Sequence, residues 1–310
     1  MNSSRKEYLD IFDSIDFQGI KDHPNILIAA RFWEEDRYQA AKTCYKFMRY
    51  IDDYIDNHKA VNEIILPGER DEFTTGVNNW LRLMSIPGNG NSIHEELNEV
   101  IERFRLPLWP FETFARSMIY DINNDGFATM DSFIDYSQGA SVAPASIFVH
   151  LAGLKKENGI FNAPAFDVKK TAAPCALFSY LVHIIRDFQK DQHNNLTYFA
   201  NDLMVKNNLT RDDLKRFSGG CPVNEGFRSM IKEYHALAGE YRLRTSGIIN
   251  QISPLLEPRY RLSLRIIFNL YQMVFEKIDL NNGTFMSSEL DPLPAETRKR
   301  VYKTIMDFTS

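Results

Sequence analysis

Five aspartates arranged in two similar turns are the residues of this chain whose spacing could do chemistry. Asp52, Asp53 and Asp56 lie in Tyr45-Lys46-Phe47-Met48-Arg49-Tyr50-Ile51-Asp52-Asp53-Tyr54-Ile55-Asp56, and Asp187 and Asp191 follow His183-Ile184-Ile185-Arg186. Each turn holds two carboxylates four positions apart, at Asp52/Asp56 and Asp187/Asp191. On a helix that spacing stacks both side chains on one face. Like charges so placed repel, so a cation belongs between them. Mg²⁺ is the suitable one: it takes carboxylate oxygen and keeps part of its water shell for a phosphate-bearing substrate. Arg49, three before Asp52 and four before Asp53, would by itself suit a solvated, salt-bridged helix face. A second acidic pair with its own arginine, and the apolar neighbours Ile51, Ile55, Ile184, Ile185 and Phe188, argue instead for two half-buried faces that share one cavity.

The elements that position these turns read as helical. Leu, Ile, Phe, Met and Tyr recur at three- and four-residue intervals over 38–57, 69–84, 92–105, 111–123, 130–155, 166–192, 225–252, 259–279 and 295–308. Alternating β-branched strands are absent. Gly, Pro and Asn mark breaks at 86–91, 106–110, 219–222 and 253–258, none long enough to be an interdomain linker. The expectation is one all-α domain over 1–310, a helical bundle. Residues 176–185 are apolar nearly all round, which suits the middle of a bundle. That helix would carry Arg186, Asp187 and Asp191 into a cavity at its end, where unpaired carboxylates are costly.

A net charge of −5 and the lack of a dense Lys/Arg block exclude a nucleic-acid binder. Cys44, Cys175 and Cys221 are scattered, with no CxxC, which suits a reducing compartment and gives no zinc site. The opening residues, Met1 to Glu7, form no apolar signal-peptide core, and no apolar run reaches the roughly 20 residues that span a bilayer. The expected location is therefore cytoplasmic, with peripheral membrane contact left open and the oligomeric state unspecified.

The two aspartate turns resemble the signatures of the squalene/phytoene synthase family, the head-to-head prenyl synthases. The family's first pattern, Tyr-x-x-x-Arg-x-x-Asp-Asp-x-x-Asp, is matched by Tyr45, Arg49, Asp52, Asp53 and Asp56. Its second, Asn-Ile-Leu-Arg-Asp-x-x-x-Asp followed by Arg-x-Tyr, is matched by Ile184, Arg186, Asp187, Asp191 and Tyr198. Weaker similarity at Tyr136/Ala140 and at Arg259 and 271–278 extends the resemblance over roughly 25–280. Four positions depart from it: His183 replaces an asparagine, Tyr180 a glutamine, and Gly126 and Leu196 each an arginine. The lost arginines are positive groups that could hold a second diphosphate.

The resemblance implies a class I isoprenoid-synthase bundle with a central cavity. It implies prenyl diphosphate substrates, metal ligands Asp52, Asp53, Asp56, Asp187 and Asp191, and Mg²⁺ with Mn²⁺ as an alternative. Arg49, Arg186, His183, Tyr180 and Tyr198 would contact substrate. Arg49, Tyr45, Tyr136 and Tyr271 would serve catalysis, the aromatic faces stabilising a carbocation. The implied reaction is 1-1′ coupling of two allylic diphosphates with diphosphate release, using NADPH only for a squalene-type product. Alternatives on the same fold are a terpene cyclase, a synthase stopping at the cyclopropyl diphosphate, and a non-catalytic helical assembly protein.

Two smaller signals have plainer explanations. Asp121-Ile122-Asn123-Asn124-Asp125-Gly126 imitates the start of an EF-hand loop, but Ser132 stands where a bidentate Glu is wanted, so a polar turn is expected. His183, on an apolar helix, reads first as a hydrogen-bonded core histidine, although one turn before Asp187 it would also face the cavity.

Overall fold

The computed structural model describes residues 3–19, 25–84 and 92–308. The Gly/Asn-rich break expected at 86–91 lies outside the described residues. Helices α1 (Ser3–Asp13) and α2 (Asn25–Ala30) precede the long α3 (Glu35–Asn62). Then come α4 (Arg70–Leu83), α5 (Ser92–Phe104), α6 (Trp109–Asn123), α7 (Met130–Ser137), a π-helical turn (Gln138–Val142) and α8 (Ala143–Gly153). An antiparallel hairpin, β1 (Lys155–Glu157) and β2 (Ile160–Asn162), leads to α9 (Val168–Arg186) and α10 (Phe188–His193). After α11 (Asn201–Lys206) and α12 (Arg211–Ser218) come α13 (Glu225–Ile252), α14 (Pro258–Lys277), α15 (Ser287–Leu290) and α16 (Pro294–Asp307).

The all-α bundle expected from periodicity is what forms. Helix α9 is its axis, packed against α8, α13 and α14. Leu177, Phe178, Leu181, Val182, Ile184 and Ile185 are all buried, as a helix apolar on every side requires. Local chemistry fixes where helices begin. The Asp167 side chain accepts from Lys170 N at 3.0 Å to cap α9, and Asn224 accepts from Phe227 N at 2.8 Å to cap α13.

Two expected helices are interrupted. The one read over 130–155 is α7, the π-helical turn and α8, and it ends before Lys155, which lies in the hairpin. Gly139 explains the wide turn: a Cβ there would sit 2.1 Å from Ser117 Oγ and 2.3 Å from Thr113 O, so only glycine lets the turn close onto α6. The helix read over 166–192 breaks at Asp187 (φ −90°, ψ 6°). The hairpin and the short helices α1, α2, α11, α12 and α15 were not read from periodicity. All but the 11-residue α1 are too short to show a repeat.

Candidate active site

The buried stripe of α3, which includes Ala40, Ala41, Cys44, Phe47, Met48, Ile51 and Ile55, recurs at helical intervals and fixes how the helix lies. An adjoining face then presents Tyr45, Arg49, Asp52 and Asp56 to a cavity of about 520 Å³. Opposite, α9 ends and α10 begins, so Asp187 and Asp191 border the same cavity from either side of the helix break, with His183 one turn earlier. The two turns are close enough for their charges to be felt across the gap: that of Asp56 acts on Asp191, and that of His183 on Asp52.

The carboxylates are unequally compensated. Arg49 bridges Asp52 at 2.8 Å and Asp53 at 2.5 Å at the outer rim. Asp187 takes a bidentate contact from Arg186 (Nε–Oδ1 2.6 Å, Nη2–Oδ2 2.9 Å) and a close one from His183 Nε2. Burial opposes its charge, but His183 and then Arg186 outweigh burial and hold its carboxyl well below the usual range. The inner carboxylates lack such partners. Burial, reinforced by Asp52 and Asp121, pushes Asp56 up to about 8. Burial pushes Asp121 up to about 7, even though Lys59 and a 2.5 Å hydrogen bond from Tyr136 Oη oppose the shift. Asp191 stands well above the usual range because of burial and then Asp187 and Asp56, and Asp52 is raised chiefly by burial.

This donor set fits a hard divalent cation. Every carboxylate is an oxygen donor, and several are buried with less positive charge than ionisation requires. Among the described residues no three Asp, Glu, His or Cys side chains converge as a closed metal cage would. That suits Mg²⁺, which is commonly held by one or two carboxylates plus substrate phosphates rather than by an all-protein cage.

Beyond the acidic mouth the cavity turns apolar. Phe114, Ile147, Phe148 and Ile267 form part of its wall, and the π-helical turn adds Ala140 and Ser141. Tyr45, Tyr136, Tyr180, Tyr198 and Tyr271 also line it. Tyr180 stacks on Phe133 at 5.4 Å, and Tyr136 lies 4.9 Å from Phe127. Burial, then the nearby carboxylate charge of Asp121, raises the Tyr136 and Tyr180 phenols far above the usual value, and burial pushes Tyr271 up to about 12. These phenols are neutral at physiological pH.

The squalene/phytoene synthase family model matches residues 21–303. The chain belongs to the squalene/phytoene synthase family. Solved structures share the fold at low identity. A dehydrosqualene synthase in complex with ligand superposes with a TM-score of 0.68 at 15% identity, covering 97% of each chain. Squalene synthase HpnC from Alicyclobacillus acidocaldarius gives 0.64 at 13% identity, over 88% of this chain and 92% of that one. YisP from Bacillus subtilis subsp. subtilis strain 168 gives 0.63 at 14% identity, over 97% and 99%. A sequence comparison with curated proteins gives no significant match.

In this squalene/phytoene synthase family member, all but one of the residues given a metal, substrate or catalytic role from the sequence border the cavity. Arg186 is the exception: it lies behind Asp187 and braces it. His183 is not a core histidine; its side chain is 42% exposed and turned to the mouth. The EF-hand likeness fails because α6 runs through Asn123, so the first positions of the would-be loop are helical. Ser132 instead completes the capping box of α7 with Thr129. Gly126, where the family pattern has arginine, has φ +135°, and an added Cβ there would lie 3.1 Å from Arg211 Nη2, so the backbone here favours glycine. Leu196 lines the cavity with an apolar side chain. Spacing gave no notice of three charged contributors: Asp121, Lys59 and Lys190. Asp121 was visible in the sequence as the first residue of the EF-hand-like segment, read there as a polar turn. Among the described residues no helix is long and apolar enough to cross a membrane.

Proposed function

We propose that this chain is a divalent-metal-dependent prenyltransferase that joins two allylic prenyl diphosphates head to head and releases diphosphate. The observation that carries this reading is the confrontation of Asp52/Asp56 with Asp187/Asp191 at the mouth of one cavity whose interior is aromatic and aliphatic. Membership of the squalene/phytoene synthase family supports it. Asp52, Asp56, Asp187 and Asp191 hold the ions, with Asp53 at the rim beside Arg49. Mg²⁺ or Mn²⁺ bound there supplies Lewis-acid stabilisation of the departing diphosphate. Arg49 faces the same oxygens and adds a fixed positive charge. Arg186 and His183 keep Asp187 ionised and oriented. The rings of Tyr45, Tyr136, Tyr180, Tyr198 and Tyr271 offer π faces to an allylic cation, and the aliphatic wall keeps water from it.

One observation favours a second reading. Arg49 and His183, which line the mouth, are already paired with carboxylates, and only Lys190 among the lining cations is exposed without a described ion pair. A site with few unengaged cations suits one diphosphate at a time, as in a cyclase. The deciding experiment incubates the protein with Mg²⁺ and ten-, fifteen- or twenty-carbon allylic diphosphates, with and without NADPH, and identifies products by mass spectrometry. A product of doubled carbon number supports coupling, a hydrocarbon if complete and a diphosphate if arrested at the cyclopropyl stage. A cyclic product of unchanged carbon number supports the cyclase. Absence of metal-dependent turnover with every substrate removes both.

A further inference from the structure

Beside the acidic mouth lies a second hollow of about 20 Å³, lined in part by Lys59, Asp121, Gly126, Asn195, Leu196 and Tyr198. Leu196 and Tyr198 border both spaces, so the hollow abuts the main cavity. Lys59 is only 5% exposed. Burying an ammonium is costly unless charge and hydrogen bonds compensate it. Its Nζ donates to Asn124 O at 3.2 Å, the one hydrogen bond found for it among the described residues. An ammonium has three donors. The charges of Asp56, three residues earlier on α3, and of Asp121 on α6 both attract it. Neither approaches within 4.0 Å as a direct ion pair among the described residues. A hollow of this size has room for about one water with polar partners, enough to complete the contact.

The backbone of the same residue is held from the other side. Asn195, in the left-handed region at φ 58°, directs its Nδ2 to Lys59 O at 3.4 Å and to Ala60 O at 3.3 Å. Asn195 belongs to the loop that follows the second aspartate turn. Residue 59 is therefore joined by its ammonium to the end of α6 and by its carbonyl to the loop after α10.

We propose that Lys59 is a positioning residue of this site, a buried and permanent counter-charge behind Asp56 and Asp121 that, with Asn195, fixes the separation of the two aspartate turns. The proposal rests on the metal–diphosphate reading above. It assigns to α3 a cation that cannot dissociate, beside the space in which exchangeable cations are held.

The test measures binding of Mg²⁺ with inorganic diphosphate by calorimetry, alongside thermal unfolding and KM and kcat for an allylic diphosphate. Lys59→Met removes the charge and keeps much of the length; Lys59→Arg keeps the charge; Asn195→Gly keeps the backbone conformation and removes the amide. Loss of a supporting group behind metal ligands commonly costs about 10–100-fold in affinity, and a loss of at least 10-fold is expected for Lys59→Met, with recovery in Lys59→Arg. Asn195→Gly, which leaves every charge in place, is expected to weaken binding in the same direction and keeps the question answerable if Lys59→Met does not fold. Lower thermal stability with unchanged Mg²⁺–diphosphate affinity and unchanged KM and kcat would show Lys59 to be merely structural and overturn the proposal. A wild-type protein that binds no Mg²⁺–diphosphate defeats the functional reading itself, a result distinct from equal binding by wild type and variants.

Discussion

Replacing Asp56 with asparagine is expected to make the metal-free protein more stable at pH 8 while removing its activity. Burial, then Asp52 and Asp121, raises the Asp56 carboxyl to about 8 in the folded chain, against about 3.9 in an unfolded one. For an acid raised on folding, the native state holds a proton that the unfolded state has lost. Stability is then fully present below the unfolded pKa and is lost as pH rises through the folded one. At about 1.4 kcal/mol per pH unit per proton, and with Asp56 half ionised at the upper end, the fall between pH 6.5 and 8.0 is about 1.5 kcal/mol. The proton belongs to the cluster with Asp52, Asp121 and Asp191 rather than to one residue, so this describes the group. At about 2 °C per kcal/mol for a chain of this size, the wild-type melting temperature falls by roughly 3 °C relative to that of Asp56→Asn. Burial lowers His94, His150 and His235, so each adds stability as pH rises through the unfolded value of about 6.5, and about 0.4 kcal/mol per histidine still accrues above that pH. This rise is common to wild type and Asp56→Asn, so the difference between the two isolates the acidic cluster. The contribution of Asp187, whose carboxyl is held low, is constant here and is lost only in strong acid. The assay is thermal unfolding in a chelator at fixed ionic strength from pH 6.5 to 8.0, with wild type and Asp56→Asn in parallel. An Asp56→Asn variant whose melting temperature follows pH with the wild-type slope refutes the electrostatic account of the site.

Asp52→Ala and Asp187→Ala are each expected to abolish Mg²⁺-dependent diphosphate release while circular dichroism keeps its helical signal; wild-type release by either variant removes the metal reading. Arg49→Ala takes away the charge that bridges Asp52 and Asp53 at the cavity mouth, where the proposed function puts the departing diphosphate. Its kcat is expected to fall on the order of 10²-fold, and steady-state kinetics showing a change in KM alone would reassign Arg49 to substrate binding. Phe178, fully buried on α9 against Phe268 and Phe275, is a packing residue. Phe178→Ala is expected to cost about 3–5 kcal/mol in denaturant unfolding, and a loss below 1 kcal/mol would contradict the central place of α9.

The sequence carried the parts of this molecule that repeat. Long helices with a one-sided or all-round apolar pattern, such as α3, α9, α13 and α14, leave a periodic trace; the first aspartate turn lies on α3 and the second follows the end of α9. What it did not carry depends on contacts between distant residues. The π-helical turn exists because Gly139 meets α6, and nothing near Gly139 in the chain records Thr113 or Ser117 as its neighbours. The break at Asp187 interrupts a pattern that remains helical in composition through His193. Arg186 has the same spacing from its aspartate whether it faces the cavity or stands behind the carboxylate, and only packing chose the latter.

Charge was the least legible property because it is settled in three dimensions. Asp121 and Asp56 are 65 positions apart in the chain, yet each raises or resists the ionisation of the same cluster, and Lys59 draws on both. Read along the chain, Lys59 is an ordinary polar residue near the end of a long helix. In the fold it is the buried cation beside the inner carboxylates, while Arg49 and Arg186 serve the outer ones. That division leaves the mouth partly neutralised and the inner group short of positive charge. A site arranged in this way is destabilised when empty and ionised; under the proposed function, cations that enter would relieve it, and the stability forgone without metal would become selectivity for the ligand that brings metal with it.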